Sequence, residues 1–480
     1  MTLQIVVILG YFLVTLAIGI MTARGTNSKI YHGARLGVAA IVCASAGEWL
    51  GGTATTGVSE YGFVYGISGA WYTIANGLGV MFLALFFAKL YRNIGAMTIP
   101  GIIRSLFGKK AQMVSSLLLV FVMLAVGVSQ IIAAGKFGQA LLGLDFNVSA
   151  VVFTAIFVLY TLAGGMRAVS KTNAMHLIVM YTGILTAVII LIGRLGGWSA
   201  FTKSVSEVEA SDGGHYFSMT TIGFPKVSSW IIASLLGACT AQAGIQPVLA
   251  SKDVPTARKA CVYTALVTAP FGLMTALIGI VGKVMSSQGT LLDLNGNVVT
   301  DGKLALTSVM LDLPPAVGGL VLAAELAAIL STASPIILAA GTMLTKDLYQ
   351  ARLRPNATEK QAMTVSRLTT AFSGLICCIG AIALVKQNSV LDIVYSAYSL
   401  RGALFIVIIF GFLSRRAAPR AACVSMLLTG AAAIGWTLYK VVTGRYPLAG
   451  WLTETYVAVF TAAVSMFVGT YLHAKTPDKL

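Results

Sequence analysis

"GEWLGGTATTG", Gly47 to Gly57, lies inside an apolar segment, Val38 to Trp71, whose other charged residues are few. The stretch carries four glycines, four alanine or threonine residues and a carboxylate. Each glycine costs a helix roughly 1 kcal/mol, and a buried carboxylate costs more. The weakest helix of the chain thus sits in its most apolar surroundings. Two readings are open. The glycines can serve close helix packing, which is common in membranes. Alternatively the stretch is unwound, because irregular backbone at membrane depth survives where it lines a polar cavity. Glu48 favours the second.

The surroundings are those of an integral membrane protein. Of 480 residues, 57% are hydrophobic and 10% charged, with a mean hydropathy of +0.86. Soluble domains carry about 25% charged residues. Leu3 to Ala23 reads as a retained span, because no basic stretch precedes it. Apolar runs of about 17 to 25 residues recur about thirteen times. They start near Leu3, Val38, Gly69, Met113, Val148, Ala174, Val227, Ala260, Ala316, Leu368, Leu391, Ala421 and Trp451. The six cysteines have no metal-ligand spacing and read as small core residues.

A net charge of +17 invites a nucleic-acid reading, but its distribution argues for topology. Most Lys and Arg residues fall in alternate loops: Arg24, Lys29 and Arg35; Lys89 to Lys110; Arg167 and Lys171; Lys252 to Lys259; Lys346 to Arg367; Arg415 to Arg420; Lys475 and Lys479. The positive-inside rule then puts the N-terminus outside and the C-terminus in the cytoplasm. The expected partner of this charge is the lipid bilayer of the cell inner (plasma) membrane; nucleic acid and an obligate protein partner are not expected. No Walker, HExxH or GxSxG motif supports a motor or an enzyme.

A second weak stretch, "GACTAQAGIQP" (Gly237 to Pro247), follows in the seventh run, where Pro247 removes a backbone donor. Paired weak segments at corresponding positions of two halves point to a transporter built from inverted repeats. The expected organisation is one membrane domain, 1–480, with repeats of five spans at 38–193 and 227–415. Residues 1–37 and 416–480 stay peripheral. A third stretch, "LAAELAAILSTASPIILAAGTMLTKDLYQ", runs from Leu322 to Gln350. Ala328, Ser331 and Thr332 share one helical face by spacing. A carbonyl and two hydroxyls there suit an alkali ion, although Ser and Thr also commonly bond the preceding turn.

"AAILST" followed by "LTKDLYQ" resembles the ninth span of the sodium:solute symporters, which include proline, pantothenate, sialic acid, galactose and choline carriers. "TIPGIIRSLFG" (Thr98 to Gly108), "YTLAGGMRAVSKTN" (Tyr160 to Asn173) and "QPVLASKDVPTARKA" (Gln246 to Ala260) agree. "EWLGGTATTGVSE" looks most like the second span of choline-type members. The resemblance implies an all-α leucine-transporter fold, with solute and Na⁺ at the unwound middles of each repeat's first helix. It implies a sodium site made by the carbonyls of Gly47, Leu50 and Ala328 and the hydroxyls of Ser331 and Thr332, with Ala46 the ligand if the register shifts by one. One position departs: many members have Asp where this chain has Asn173, which predicts a single coupling ion.

Charges within spans are functional candidates by default. Here these are Glu48, Glu325 and Arg401. A guanidinium at membrane depth needs a partner, and a bidentate carboxylate suits it best. Three partners are open: a substrate anion, Glu48 or Glu325, or a watery vestibule. Glu48, Trp49, Gly51, Thr53, Gln242, Tyr395, Tyr398 and Arg401 are the candidate solute contacts, although the aromatic residues and Gln242 suit packing equally well. His176 reads as structural. The expected function is Na⁺-coupled symport of a small polar organic solute, carboxylate or amino-acid-like, by alternating access. The alternatives are a proton-coupled carrier with Glu48 or Glu325 titrating, or a carrier of a neutral or cationic solute such as choline.

Overall fold

A computed structural model describes residues 2–23, 36–96, 98–386, 390–414 and 418–475, with the side chains of 163–171 and several helix-terminal residues excepted. Arg24, Lys29, Arg35, Arg415, Arg416 and Lys479 lie outside the described residues, as do the side chains of Arg167, Lys171 and Lys475. Among the described residues the apolar runs are helical, with interruptions at residues 50–52 and at Ala241.

By length and composition, nine described helices can cross a membrane, or ten if the bent pair Phe224–Thr240 and Gln242–Leu249 forms one span. The runs that start at Leu3, Val38 and Val148 coincide with shorter apolar helices. Those three runs and the bent pair account for the difference from about thirteen, and the run that starts near Gly69 lies in one helical stretch, Thr53–Ile94. That stretch turns at Gly66, whose φ of +71° favours glycine, and a methyl there would sit 2.1 Å from the Tyr216 carbonyl oxygen.

Local chemistry starts several helices. Thr98 accepts the Gly101 N–H at 3.0 Å at the head of Ile99–Leu142, where Pro100 occupies the first turn. Asp253 does the same for Thr256 at 2.7 Å ahead of Val254–Ser287.

At the centre stands Pro315–Met343, buried along nearly its whole length. Small residues let it approach Phe146–Arg194 closely: a methyl on Gly183 would meet the Ala324 Cβ at 2.6 Å. The outer helices are apolar on their free faces. Leu368, Phe372, Leu375 and Ile379 of Glu359–Leu384 are exposed, as are Phe460 and Phe467 of Glu454–Lys475. The outer surface is apolar, as lipid requires, and buried polar groups such as Glu48, Glu325 and Arg401 lie within a largely apolar interior.

Candidate functional site

Val38–Trp49 ends at Leu50, whose φ and ψ of −104° and 35° leave the helix, and the chain resumes as a π-helical turn over Thr53–Gly57. Such turns concentrate at functional sites. The break is held from the side. Gln130 accepts the Gly52 N–H at 2.8 Å and donates to the Thr53 hydroxyl at 2.7 Å, and Ser129 lies 3.2 Å from that hydroxyl. Gln130 was absent from the sequence reading. Its signal was an amide inside an apolar run, "VGVSQIIAAG".

The break faces the central helix. The Gly47 carbonyl accepts from the Ser331 hydroxyl at 3.0 Å and the Thr332 hydroxyl at 2.6 Å. The Ser331 hydroxyl also lies 2.8 Å from the Ala328 carbonyl. Four of the five expected sodium ligands therefore converge on one another. These are hard, uncharged oxygens, a donor set that can replace an alkali ion's hydration shell. Leu50 caps the helix with its N–H on the Ala46 carbonyl at 3.0 Å. Next to it, Gly51 lies so close to Thr332 that a methyl would stand 2.2 Å from Oγ1. Asn173 completes the cluster: its Nδ2 is 3.4 Å from the Ser331 carbonyl, and a methyl on Gly47 would lie 2.3 Å from that nitrogen.

The second break is also present. Phe224–Thr240 and Gln242–Leu249 meet at 44°, with Ala241 between them at φ −70° and ψ 89°. The two breaks touch, since Ser45 donates to the Gly244 carbonyl at 2.8 Å. Thr240 donates to the Arg401 carbonyl at 2.7 Å. Gln242 accepts the Ile99 N–H at 2.8 Å, so its carbonyl serves a neighbouring helix start.

Arg401 is fully buried and has a protein partner: Nη2 stands 3.5 Å from Glu48 Oε1. An acidic solute, favoured from sequence because an unpartnered arginine would demand an anion, loses that support. Glu48 neutralises the charge because the first break brings its carboxylate against Val390–Leu413. The pairing is incomplete. Arg401 Nε and Nη1 and Glu48 Oε2 are buried without a hydrogen-bond partner among the described residues. Aromatic rings surround the pair. The guanidinium lies 4.6 Å from the Tyr398 ring centre, and Trp49 meets Tyr398 edge-on at 6.4 Å. Tyr72, absent from the sequence reading, approaches the Tyr398 hydroxyl at 3.2 Å. Tyr395 stacks on Trp230 at 4.3 Å, which places it in the wall of the cluster. Glu325 lies elsewhere, bonded to Thr56 and Thr307, and His176 is bonded to Tyr11.

Ion pairs lie beside the aromatic wall, with Lys226 over the Trp230 ring. Lys226 reaches Asp392 at 3.0 Å and Tyr61 at 2.7 Å, and Lys303 reaches Glu60 at 3.6 Å.

Comparison with known proteins agrees with this geometry. The high-affinity proline transporter of Bacillus subtilis is 24% identical over 91% of this chain and 93% of its own. The rabbit (Oryctolagus cuniculus) sodium/glucose cotransporter 1 is 25% identical over 85% of this chain and 68% of its own. Among solved structures, a substrate-bound, outward-open Na⁺-coupled sialic acid symporter superposes with a TM-score of 0.77 at 18% identity, covering 98% of both chains. A closed nucleobase-cation-symport-1 family transporter gives 0.59 at 15%, covering 93% of this chain and 95% of that one. These likenesses show the leucine-transporter fold. The model of the sodium:solute symporter family matches residues 30–429. With one broken helix seated on a serine–threonine face of the central helix and the other broken helix beside it, this chain belongs to the sodium:solute symporter family.

Proposed function

We propose that each transport cycle carries one Na⁺ with one small, net-neutral polar solute of amino-acid-like charge. Na⁺-coupled symport of a small solute across a membrane follows from family membership. The ion site and the solute class are the proposal. The observation that carries the ion site is the shared Gly47 carbonyl, met by both Ser331 and Thr332. An ion bound there replaces hydroxyl-to-carbonyl bonds between two helices that must part for the site to open. The missing carboxylate at Asn173 supports one ion.

The solute class rests on the Glu48–Arg401 pair. It is net neutral yet leaves guanidinium donors and a carboxylate acceptor unpaired, both costly when buried. A zwitterion answers both, with its carboxylate on the free guanidinium edge and its ammonium on Glu48 Oε2. That relatives are named for proline supports this class. A cation such as choline would have to compete with Arg401 for Glu48 and for the Tyr398 ring.

Alternating access would rock the repeats 38–193 and 227–415 about this site, with 1–37 and 416–480 outside them. The distribution of basic residues supports an external N-terminus and a cytoplasmic C-terminus in the plasma membrane. The test is a thermal-shift screen of amino acids and betaines in Na⁺, followed by uptake of the stabilising compound into proteoliposomes. Uptake should require Na⁺ and fail when K⁺ replaces it. Equal uptake in K⁺ would overturn the sodium site, and stabilisation by choline alone would overturn the solute class.

A further inference from the structure

Glu325 is fully buried in the middle of Pro315–Met343 and is used by neither the sodium cluster nor the Arg401 pair. It makes three contacts. The Thr56 hydroxyl is 3.1 Å from Oε1, and the Thr307 hydroxyl is 2.9 Å from Oε1 and 3.0 Å from Oε2. Among the described residues it has no ion pair.

The charged and titratable groups on the elements around it are committed elsewhere. On Gly302–Leu311 and the residue before it, Lys303 pairs with Glu60 and Asp301 with Lys136 of Ile99–Leu142. Glu48, on the broken helix, pairs with Arg401. On Phe146–Arg194, His176 bonds Tyr11 of the first helix, and Asn173 is uncharged. Lys346 and Asp347 follow the far end of Glu325's own helix.

The contacts can be counted in protons. Two threonine hydroxyls supply two, while three oxygen–oxygen contacts of hydrogen-bond length are present. A proton on Oε2, donated to Thr307 Oγ1, fills the third while both hydroxyls donate to Oε1. An ionised carboxylate would have two hydroxyl donors only, one of them shared between its oxygens, and a full charge buried with no counter-cation, an arrangement that buried groups avoid by neutralising.

We propose that Glu325 is a proton-binding site, occupied in this arrangement and exchanged with water during the transport cycle. Thr56 belongs to the turn that restarts the broken helix, Thr307 to the short helix before Pro315–Met343, and Glu325 to the central helix. Movement of the broken helix takes Thr56 away and admits water. The Oε2–H bond then breaks, its electron pair stays on the carboxylate, and the proton passes to water. This rests on neither the sodium site nor the solute class.

The test is infrared spectroscopy of the full-length protein in liposomes at neutral pH. The wild type should show a carboxylic-acid carbonyl band that Glu325→Gln loses, since glutamine keeps both threonine donations. Thr307→Val, which retains the carboxyl and removes its acceptor, should move that band to higher frequency; this keeps the test available if the glutamine variant does not fold. A group protonated when folded and ionised when unfolded destabilises the fold as pH rises. The wild-type melting temperature should therefore fall more steeply than that of Glu325→Gln as pH rises above the usual carboxylate range. Identical carbonyl bands in wild type and Glu325→Gln, a band unmoved by Thr307→Val, or parallel melting curves would overturn the proposal.

Discussion

The Thr332 hydroxyl donates to the Gly47 carbonyl at 2.6 Å, joining the end of the broken Val38–Trp49 helix to the centre of Pro315–Met343. The two residues are far apart in sequence and belong to different proposed repeats. The same oxygens that hold the helices together in this arrangement are those an ion would bridge. Ion binding and helix contact are thus alternatives for one set of atoms.

Ser331→Ala and Thr332→Ala should each raise the half-saturating Na⁺ concentration at least about tenfold, the equivalent of ~1.4 kcal/mol. Each removes an oxygen that the neighbouring carbonyls cannot replace. Solute uptake measured across a Na⁺ titration checks this, and unchanged Na⁺ dependence in both variants would move the ion elsewhere.

Gly51→Ala should abolish transport while the protein still inserts into the membrane. The added methyl would stand 2.2 Å from Thr332 Oγ1 and 2.8 Å from Gln130 Oε1, so the break cannot seat against the central helix. Gly10→Ala, whose methyl meets nothing within 4 Å, is the matched control and should transport normally. The readouts are uptake and membrane abundance for both.

Wild-type uptake should show a Hill coefficient for Na⁺ near one, in keeping with an amide at position 173. Asn173→Asp places a carboxylate against Gly47 and the Ser331 carbonyl, where it should tighten Na⁺ binding or admit another ion. A wild-type coefficient near two, or a charge-to-solute ratio showing two sodium ions per neutral solute, would defeat the single-ion reading.

Arg401→Met alone should destabilise the protein by about 3–5 kcal/mol, because it strands a buried carboxylate. Glu48→Gln combined with Arg401→Met should recover much of that loss yet transport no solute. Melting temperatures of the two single variants and the double variant form the cycle that measures this coupling. Strict additivity would mean the pair is not energetically joined.

Arg401→Lys tests the solute separately. A lysine keeps the charge for Glu48 but lacks the planar fork for a carboxylate. The solute's apparent affinity should drop while Na⁺ dependence stays near wild type, as competition uptake would record.

Hydropathy and small-residue content are local properties, so they made the class and the weak stretches readable from sequence. The small and polar residues of Gly47–Gly57 and Gly237–Pro247 announced weak helix in lipid, and both breaks are there, although the second falls at Ala241 while Pro247 is accommodated inside Gln242–Leu249. Spacing alone put Ala328, Ser331 and Thr332 on one face, because three- and four-residue intervals fix a helical stripe. Which carboxylate neutralises Arg401 was open between Glu48, Glu325 and a solute. It could not be read locally, since the choice depends on how far each helix is rotated and displaced against its neighbours. Packing brought Glu48 to Arg401 and turned Glu325 toward Thr56 and Thr307. The same holds for Gln130, Tyr72 and Gln242. A polar residue in an apolar run declares that it needs a partner, but the partner lies on another helix, and only the tertiary arrangement supplies it.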